Sequence, residues 1–182
     1  MEISLKLNKD LERCLEDLKK IGYQIGSGFM IGLPGQKVSD LVNDLLYVKE
    51  LNPHMVGIGP FISHKDTPLK NEKNGTLEDT ITLIAILRLL LPTALIPATT
   101  SLGTINPLGR ELGIKAGANV VMPNLSPTSV REKYSLYDGK ICTGDEAAEC
   151  RRCIEGRINR AGFKVEVSRG DNIEWKRRKE NE

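Results

Sequence analysis

The sequence predicts an α/β protein in which short parallel strands alternate with helices. Four strand-like apolar segments alternate with helical segments through the first 125 residues or so. Short apolar strands separated by helices imply parallel pairing through right-handed crossovers, with helices covering both faces of the sheet. Two architectures fit this order: an open doubly wound sheet and a (β/α) barrel.

The residues that follow the strands favour the barrel. A cluster of Pro, Gly, Thr or Asn comes after each strand-like segment, for example at residues 32–35 and 123–124. Barrel enzymes build their sites from the carboxyl ends of their strands, although any single cluster is also consistent with an ordinary turn. No Gly-x-Gly-x-x-Gly occupies a strand-to-helix turn, because Gly26 and Gly28 lie inside a strand, and this counts against a dinucleotide fold.

Local signals bound each element. Leu11, Leu15 and Leu18 share one face of a helix in the first twenty residues, and Gly22 ends it. Thr76 caps the third helix and Pro92 stops it. The predicted helices are 1–20, 38–51, 77–90, 107–115 and 151–160, and the predicted strands are 23–31, 55–58, 94–98 and 118–122. The inward face of the second helix is predicted to contain Val38, Leu41, Val42, Leu45 and Val48.

Composition excludes several classes of function. The 182 residues have a net charge of +2 and are 4% aromatic, so neither charge nor stacking platforms indicate nucleic-acid binding. No apolar run approaches the length of a membrane span, and the first residues lack the order of a signal peptide. Four cysteines in a chain of this length predict a reducing, cytoplasmic setting. The tail from Arg169 onward, with its basic run at 176–179, is predicted to be frayed and solvated.

The cysteines form the sharpest local pattern. Cys142, Cys150 and Cys153 place three thiols within twelve residues. Thiolates are soft ligands that favour zinc or iron–sulfur clusters, so this trio predicts a metal or cluster site above a disulfide or inert role. Cys14 is predicted to be a small buried core residue. The two histidines, His54 and His64, are predicted to be surface or capping residues rather than ligands.

Several longer segments together resemble one family. Residues 28–36 (GFMIGLPGQ) resemble the glycine-rich fifth strand of radical S-adenosylmethionine (SAM) enzymes. Residues 55–62, 66–69, 96–100, 117–124 and 136–142, with the cysteine spacing after them, are similar to the HydE-type maturases of FeFe-hydrogenase. The resemblance runs from about Leu11 to Gly162, and any one segment alone would indicate only a radical SAM or biotin-synthase-like barrel.

The resemblance implies a fold and a chemistry. The chain would be the C-terminal half, about four βα units, of a (β/α)8 TIM-type barrel, followed by a helical extension that contains the cysteines. Family members bind SAM at a 4Fe–4S cluster held by Cys-x3-Cys-x2-Cys. They form a 5′-deoxyadenosyl radical that acts on a small sulfur- and iron-containing substrate during assembly of the H-cluster di-iron unit. Cys142, Cys150 and Cys153 match the family's accessory cluster.

The resemblance also assigns residues to the cavity. Met30 and Ile31 would lie near SAM at the end of a strand. Tyr134 and Tyr137 would close over the substrate. The remaining cavity-lining residues implied by the family are Met55, Pro60, Thr99, Thr100 and Met122.

One departure from the family limits what this chain can do alone. No Cys-x3-Cys-x2-Cys occurs in the sequence, so the resemblance implies a fragment that is inactive by itself. Four parallel strands cannot close a barrel, and their open edges predict a companion N-terminal half, or self-association. The expected organisation is a partial barrel over 1–125, an extension over 126–165 and a charged tail over 166–182. The alternatives are another radical SAM barrel, of biotin synthase or methylornithine synthase type, and a non-catalytic iron–sulfur or zinc-binding module.

Overall fold

A computed structural model of the protein describes residues 2–141 and 147–180; the side chains of residues 2–8, 132, 147–150 and 180 are not described. Helices and strands alternate through the first half, and helices dominate the second. The elements are α1 (Glu2–Ile21), β1 (Gly26–Ile31), α2 (Val38–Leu51), β2 (Met55–Pro60), α3 (Leu77–Leu90), α4 (Thr100–Ile105), α5 (Gly109–Ala116), α6 (Thr128–Arg131), a 3-10 turn (Glu132–Tyr134), α7 (Ala147–Arg160) and α8 (Ile173–Glu180). Each helix in this part of the chain is too short or too polar to cross a bilayer.

The sheet is parallel and follows the order of the chain. β1 pairs with β2 over six residues, from Gly26 opposite Met55 to Ile31 opposite Pro60. Two further extended segments continue the sheet through single parallel bridges, Met55 to Leu95 and Pro97 to Val120. The α/β class and the parallel pairing are therefore confirmed.

The third and fourth predicted strands are not regular strands. Pro97 cannot donate a backbone hydrogen bond, which interrupts the ladder at that position. The side-chain oxygen of Asn119 accepts from the Ile96 N–H at 2.8 Å and so occupies a donor that a strand would use. Residues 94–98 and 118–122 consequently pair at isolated points only. Helix α4, which directly follows the third segment, was not predicted from the sequence.

The core lies on one face of the sheet. Val56 and Ile58 of β2 and Ile31 of β1 are buried, because alternate strand residues point the same way. These side chains pack with buried residues of α2, α3 and the following segments, namely Val48, Leu83, Ile84, Leu87, Ile96 and Leu102.

The opposite face of the sheet is open, which corrects the expectation that helices cover both faces. Gly26, Gly28 and Met30 of β1 and Gly57 of β2 are exposed there. Three of these four residues are glycines, so this face carries little side-chain volume. The open face is therefore a shallow surface beside the core and not a second hydrophobic layer.

The two helices nearest the amino terminus bury less than predicted. Val38 of α2 is 77% exposed and Val42 is 46% exposed, so they do not belong to the inward face that Val48 defines. Cys14 is exposed on α1, and its prediction as a core thiol is wrong. Lys19 of α1 donates to the Leu51 carbonyl at 2.6 Å, which links the ends of the two helices.

The C-terminal part of the chain packs back on the sheet. Ile154 and Ile158 of α7 are buried in the main core. The segment around α8 crosses the amino ends of the strands, where Asn172 is only 2% exposed. The prediction of a frayed and solvated tail is therefore wrong for this segment, although residues 176–179 are exposed.

Candidate functional site at the carboxyl ends of the strands

The carboxyl ends of the parallel segments meet at one end of the sheet. The register places Met30 opposite Gly59, one residue before the strands end. The hydroxyl groups of Thr99 and Ser101 lie 2.8 Å apart just above this point. A Cβ at Gly59 would stand 2.7 Å from the Ser101 oxygen and 3.0 Å from the Thr99 oxygen, so a side chain there would displace the hydroxyl pair.

A cleft of about 240 Å³ opens beside the hydroxyl pair. Its inner wall comes from the ends of the third and fourth segments, and its outer wall from the chain after residue 122. The lining residues are Thr100, Arg110, Met122, Pro123, Asn124, Ser126, Arg131, Tyr134, Lys140 and Ile141. The cleft is thus shared between the sheet and the extension that follows it.

Buried arginine contacts shape the outer wall. Arg131 is 2% exposed, and it donates from Nε to the Ser126 carbonyl at 2.8 Å and from Nη2 to the Asn124 carbonyl at 3.2 Å. Lys140 donates to the Tyr134 carbonyl at 2.8 Å, which closes the turn that holds Tyr134. These bonds fix the backbone of a segment with little regular structure.

A long loop after β2 supports the same end of the sheet. The two ends of the loop 61–75 lie next to each other at the end of the sheet. The Phe61 N–H donates to the Ile31 carbonyl, and the Gly75 N–H donates to the Phe61 carbonyl, both at 2.8 Å. Gly75 requires its glycine, since a Cβ there would lie 2.2 Å from the Ile31 oxygen. The Asp138 N–H donates to the Ser63 carbonyl at 3.0 Å, so this loop also holds the extension.

The structure brings several predicted site residues together. Met30, Met122 and Tyr134 are exposed at the carboxyl end, with Thr99 and Thr100 partly exposed beside them. Neither Met30 nor Met122 fills the core, since both are more than half exposed.

The other predicted residues lie elsewhere or face away. Met55 stands at the amino end of β2, five residues and roughly 16 Å from Pro60, so it shares the open face but not the cleft. Ile31 and Pro60 are buried on the helix side, which leaves only their backbone near the strand ends. Tyr137 does not line the cleft, although its neighbour Asp138 anchors the same turn.

The predicted metal site is described only in part. Cys142 lies outside the described residues, and Cys150 is placed on α7 without a described side chain. Cys153 is exposed on the same helix. Among residues 2–141 and 147–180, no group of three acidic, His or Cys side chains is positioned to hold a metal ion. The residues present do not fit the radical-generating 4Fe–4S cluster, because the sequence has no Cys-x3-Cys-x2-Cys.

An ion pair holds the cysteine-bearing helix to the cleft wall. Arg157 of α7 donates from Nε and Nη2 to the two carboxylate oxygens of Glu111 at 2.7 and 2.8 Å, and Nη2 also donates to the Pro107 carbonyl. The hydrogen bond from Arg157 is the largest cause that lowers the pKa of Glu111, which burial opposes. Glu111 directly follows Arg110, a cleft-lining residue that is 6% exposed.

Sequence reasoning missed several residues of the site. Ser101, Arg110, Arg131 and Lys140 were not singled out. Ser101 had a usable signal, because it directly follows Thr99 and Thr100 at a strand end. Arg131 and Lys140 had none, since they come from a segment whose position depends on long-range packing.

Comparisons with known proteins confirm the resemblance. The chain is 52% identical over 151 residues to HydE, a FeFe-hydrogenase maturase subunit of Thermotoga maritima, and the match covers 83% of this chain and 43% of HydE. It is 34% identical over 120 residues to 3-methylornithine synthase of Methanosarcina acetivorans, covering 66% of this chain and 33% of that enzyme. It is 28% identical over 121 residues to a biotin synthase of Buchnera aphidicola, covering 65% and 35%.

The fold comparison agrees. A crystal structure of methylornithine synthase matches with a TM-score of 0.60 at 24% identity, over 82% of this chain and 42% of that one. No family model matches the chain. The chain is therefore a relative of the radical SAM enzymes that fold as TIM barrels. Within that class it resembles HydE over most of its own length, while it spans less than half the length of HydE.

Proposed function

We propose that this chain forms the carboxyl-terminal half of a radical SAM barrel of the HydE type. The observation that carries the proposal is the 52% identity to HydE, which extends across the segments that build the carboxyl-end site. Four parallel βα units make a half barrel in this proposal, and its open glycine-rich face becomes part of the cavity wall. The setting is cytoplasmic in the same proposal.

Different residues of the cavity contact SAM and the substrate in this proposal. Met30 and the backbone of Ile31 lie beside SAM, and Thr99, Thr100 and Met122 border a small sulfur- and iron-containing substrate. Tyr134 and Tyr137 close the cavity from the extension, in line with the exposed position of Tyr134 on the cleft. Pro60 and Met55 have supporting places, at the strand end and on the open face.

A companion segment supplies the Cys-x3-Cys-x2-Cys motif that this chain lacks. The exposed edge of β1 and the open face beside it leave strand hydrogen-bonding groups and surface for another sheet to cover. The occupant we commit to is an amino-terminal half barrel that carries Cys-x3-Cys-x2-Cys. Only the assembled pair generates the 5′-deoxyadenosyl radical needed in building the H-cluster di-iron unit.

The first experiment tests the pairing. The chain is mixed anaerobically with the amino-terminal part of Thermotoga maritima HydE, both reconstituted with iron and sulfide, and 5′-deoxyadenosine formed from SAM is measured. A one-to-one complex with activity, and neither half active alone, supports the proposal. A stable complex of two copies of this chain, with no binding of the added half, contradicts it.

A second experiment tests the cysteine trio as an accessory cluster. Reconstitution of this chain is expected to give charge-transfer absorption that is lost in Cys153→Ser and Cys150→Ala. Cys14→Ser is the matched control, because Cys14 is an exposed thiol on another helix. Absence of colour together with bound zinc would instead indicate a structural metal module. Absence of any metal would rule out both kinds of site.

A further inference from the structure

The C-terminal segment forms a polar bridge across the amino ends of the strands. Residues 169–180, here called the C-terminal latch, contain Asn172, whose side-chain nitrogen donates to the His54 carbonyl at 3.1 Å and to the Thr93 carbonyl at 2.8 Å. The Asn172 N–H donates to the Gln24 side-chain oxygen at 2.7 Å. One buried residue, through its side chain and its backbone N–H, therefore connects three consecutive parts of the sheet.

Further contacts attach the latch on either side of Asn172. The indole N–H of Trp175 donates to the Gly22 carbonyl at 2.8 Å, and the Arg169 guanidinium stacks 5.6 Å from the ring centroid. The Thr93 hydroxyl donates to Glu174 at 2.8 Å. The latch is thus anchored to the end of α1 and to the amino side of the third segment.

His54 stands at the centre of this region and is 5% exposed. Its Nδ1 accepts the Ile25 N–H at 3.0 Å, so Nδ1 carries no proton and the ring is neutral. The backbone of His54 donates to the Ile25 carbonyl at 2.9 Å and accepts from Leu95 at 2.9 Å as well as from Asn172. A change in the protonation of this ring therefore alters hydrogen bonds to both neighbouring segments of the sheet and to the latch.

We propose that His54 makes the C-terminal latch sensitive to protons. With a neutral ring, His54 holds the amino ends of the strands in the arrangement that Asn172 bridges. A proton on Nδ1 replaces an acceptor with a donor that faces the Ile25 N–H. The Ile25 bond is then lost, the carbonyl of His54 moves away from Asn172, and the latch is released while the helices of the core stay folded.

The charged groups around His54 set the direction of the pH dependence. Burial is the largest cause that lowers the pKa of His54, followed by Arg178 of α8 and Lys19 of α1, while Glu174 of α8 raises it. The folded state thus disfavours the proton relative to an unfolded chain with the ordinary value of 6.5. The neutral ring therefore contributes its full stability above the ordinary pKa of 6.5. This contribution is lost as the pH falls from 6.5 through the lowered pKa of the folded state.

Asp171 is the other titrating group at the latch, and it acts in a separate range. Its pKa is lowered, first by the hydrogen bond from Arg169 and then by that from Gln24. Asp171 therefore stays ionised to more acid pH than an ordinary aspartate, well below the range in which a histidine titrates. As the pH falls, protonation of His54 therefore precedes protonation of Asp171.

The test uses the single tryptophan of the chain as a reporter. Fluorescence emission of Trp175 is recorded from about pH 8 to pH 4.5, together with helix content by circular dichroism. We expect a red shift of the emission with a midpoint below 6.5, and a loss of helix content no larger than α8 accounts for. His54→Asn, whose side-chain oxygen takes the place of Nδ1 and accepts without titrating, should abolish the shift. His64→Gln, which removes the other histidine, should leave it unchanged.

Three outcomes overturn the proposal: no red shift in the unaltered protein, a shift that survives in His54→Asn, or a shift abolished in His64→Gln. Should His54→Asn fail to fold, proton NMR of His64→Gln decides, because the one histidine ring signal that remains in this variant belongs to His54. The titration midpoint of this His54 signal must then coincide with the Trp175 transition. A mismatch contradicts the role of His54.

Discussion

Replacing Arg157 with methionine is expected to loosen the helix that carries Cys150 and Cys153. The guanidinium binds both carboxylate oxygens of Glu111, and the two side chains are only 23% and 14% exposed. Charge-assisted hydrogen bonds in such a setting are worth about 1.5–3 kcal/mol, and the variant leaves a largely buried carboxylate unpaired. We expect a loss of about 2 kcal/mol in the free energy of unfolding.

Thermal and urea denaturation measure this loss. For a chain of this size, about 2 kcal/mol corresponds to a fall of roughly 4–8 °C in Tm. Arg152→Met is the matched control, because Arg152 is exposed on the same helix, and its effect should stay within about 0.5 kcal/mol. A double-mutant cycle with Glu111→Gln should give a coupling energy above about 1 kcal/mol. A coupling below about 0.5 kcal/mol would refute the role given to this pair.

The same pair predicts a pH dependence. The folded pKa of Glu111 is lowered from its ordinary value of 4.5, chiefly by the hydrogen bond from Arg157. The ionised Glu111 therefore contributes its full stability above the ordinary pKa of 4.5. This contribution declines as the pH falls through the lowered pKa of the folded state. Arg157→Met should reduce this decline, and Arg152→Met should not.

Three other substitutions or modifications give separate tests. Gly75→Ala should lower the free energy of unfolding in urea by more than about 2 kcal/mol, because the new Cβ would overlap backbone atoms. Gly57→Ala is the control, and it should change this free energy by less than about 1 kcal/mol, because the space around Gly57 is open. Arg88→Met should lower Tm by several degrees, since four carbonyls lose a donor; an unchanged Tm would contradict this. Cys14 and Cys153 should react rapidly with a thiol reagent in the folded, metal-free protein, as followed by mass spectrometry, and slow reaction at Cys14 would contradict its exposed position.

The parts of the fold that local chemistry determines were predicted closely. The ranges of α2 and α3 match the predictions, because their boundaries depend on nearby groups. Thr76, for example, caps α3 by accepting the Asp79 N–H at 3.1 Å. The parallel pairing also followed from the alternation of strands and helices.

The parts that long-range packing determines were not predictable in the same way. Val38 belongs to the apolar pattern of α2, yet nothing packs on its side of the helix and it stays exposed. Asn172 looked like part of a solvated tail, yet it is buried by partners more than 75 residues away in the chain. Neither the exposure of Val38 nor the burial of Asn172 can be inferred from the residues beside it in the sequence.

The candidate site was predicted where it depends on strand ends. Thr100 follows one strand-like segment and Met122 ends another, and both line the cleft. Arg131 and Lys140 line it from the extension, which reaches the sheet only through tertiary contacts. Sequence reasoning could therefore identify one wall of the cleft and not the other.

The C-terminal latch also has a consequence for the order of folding. Its contacts with Gln24 and Gly22 join residues separated by 147, 148 and 153 positions in the chain. At a synthesis rate of about 5–20 residues per second, Gln24 waits roughly 7–30 s on the ribosome for its partners. The amino side of the nascent sheet is uncovered throughout that interval, so this side is where a chaperone or a neighbouring nascent chain has the longest access.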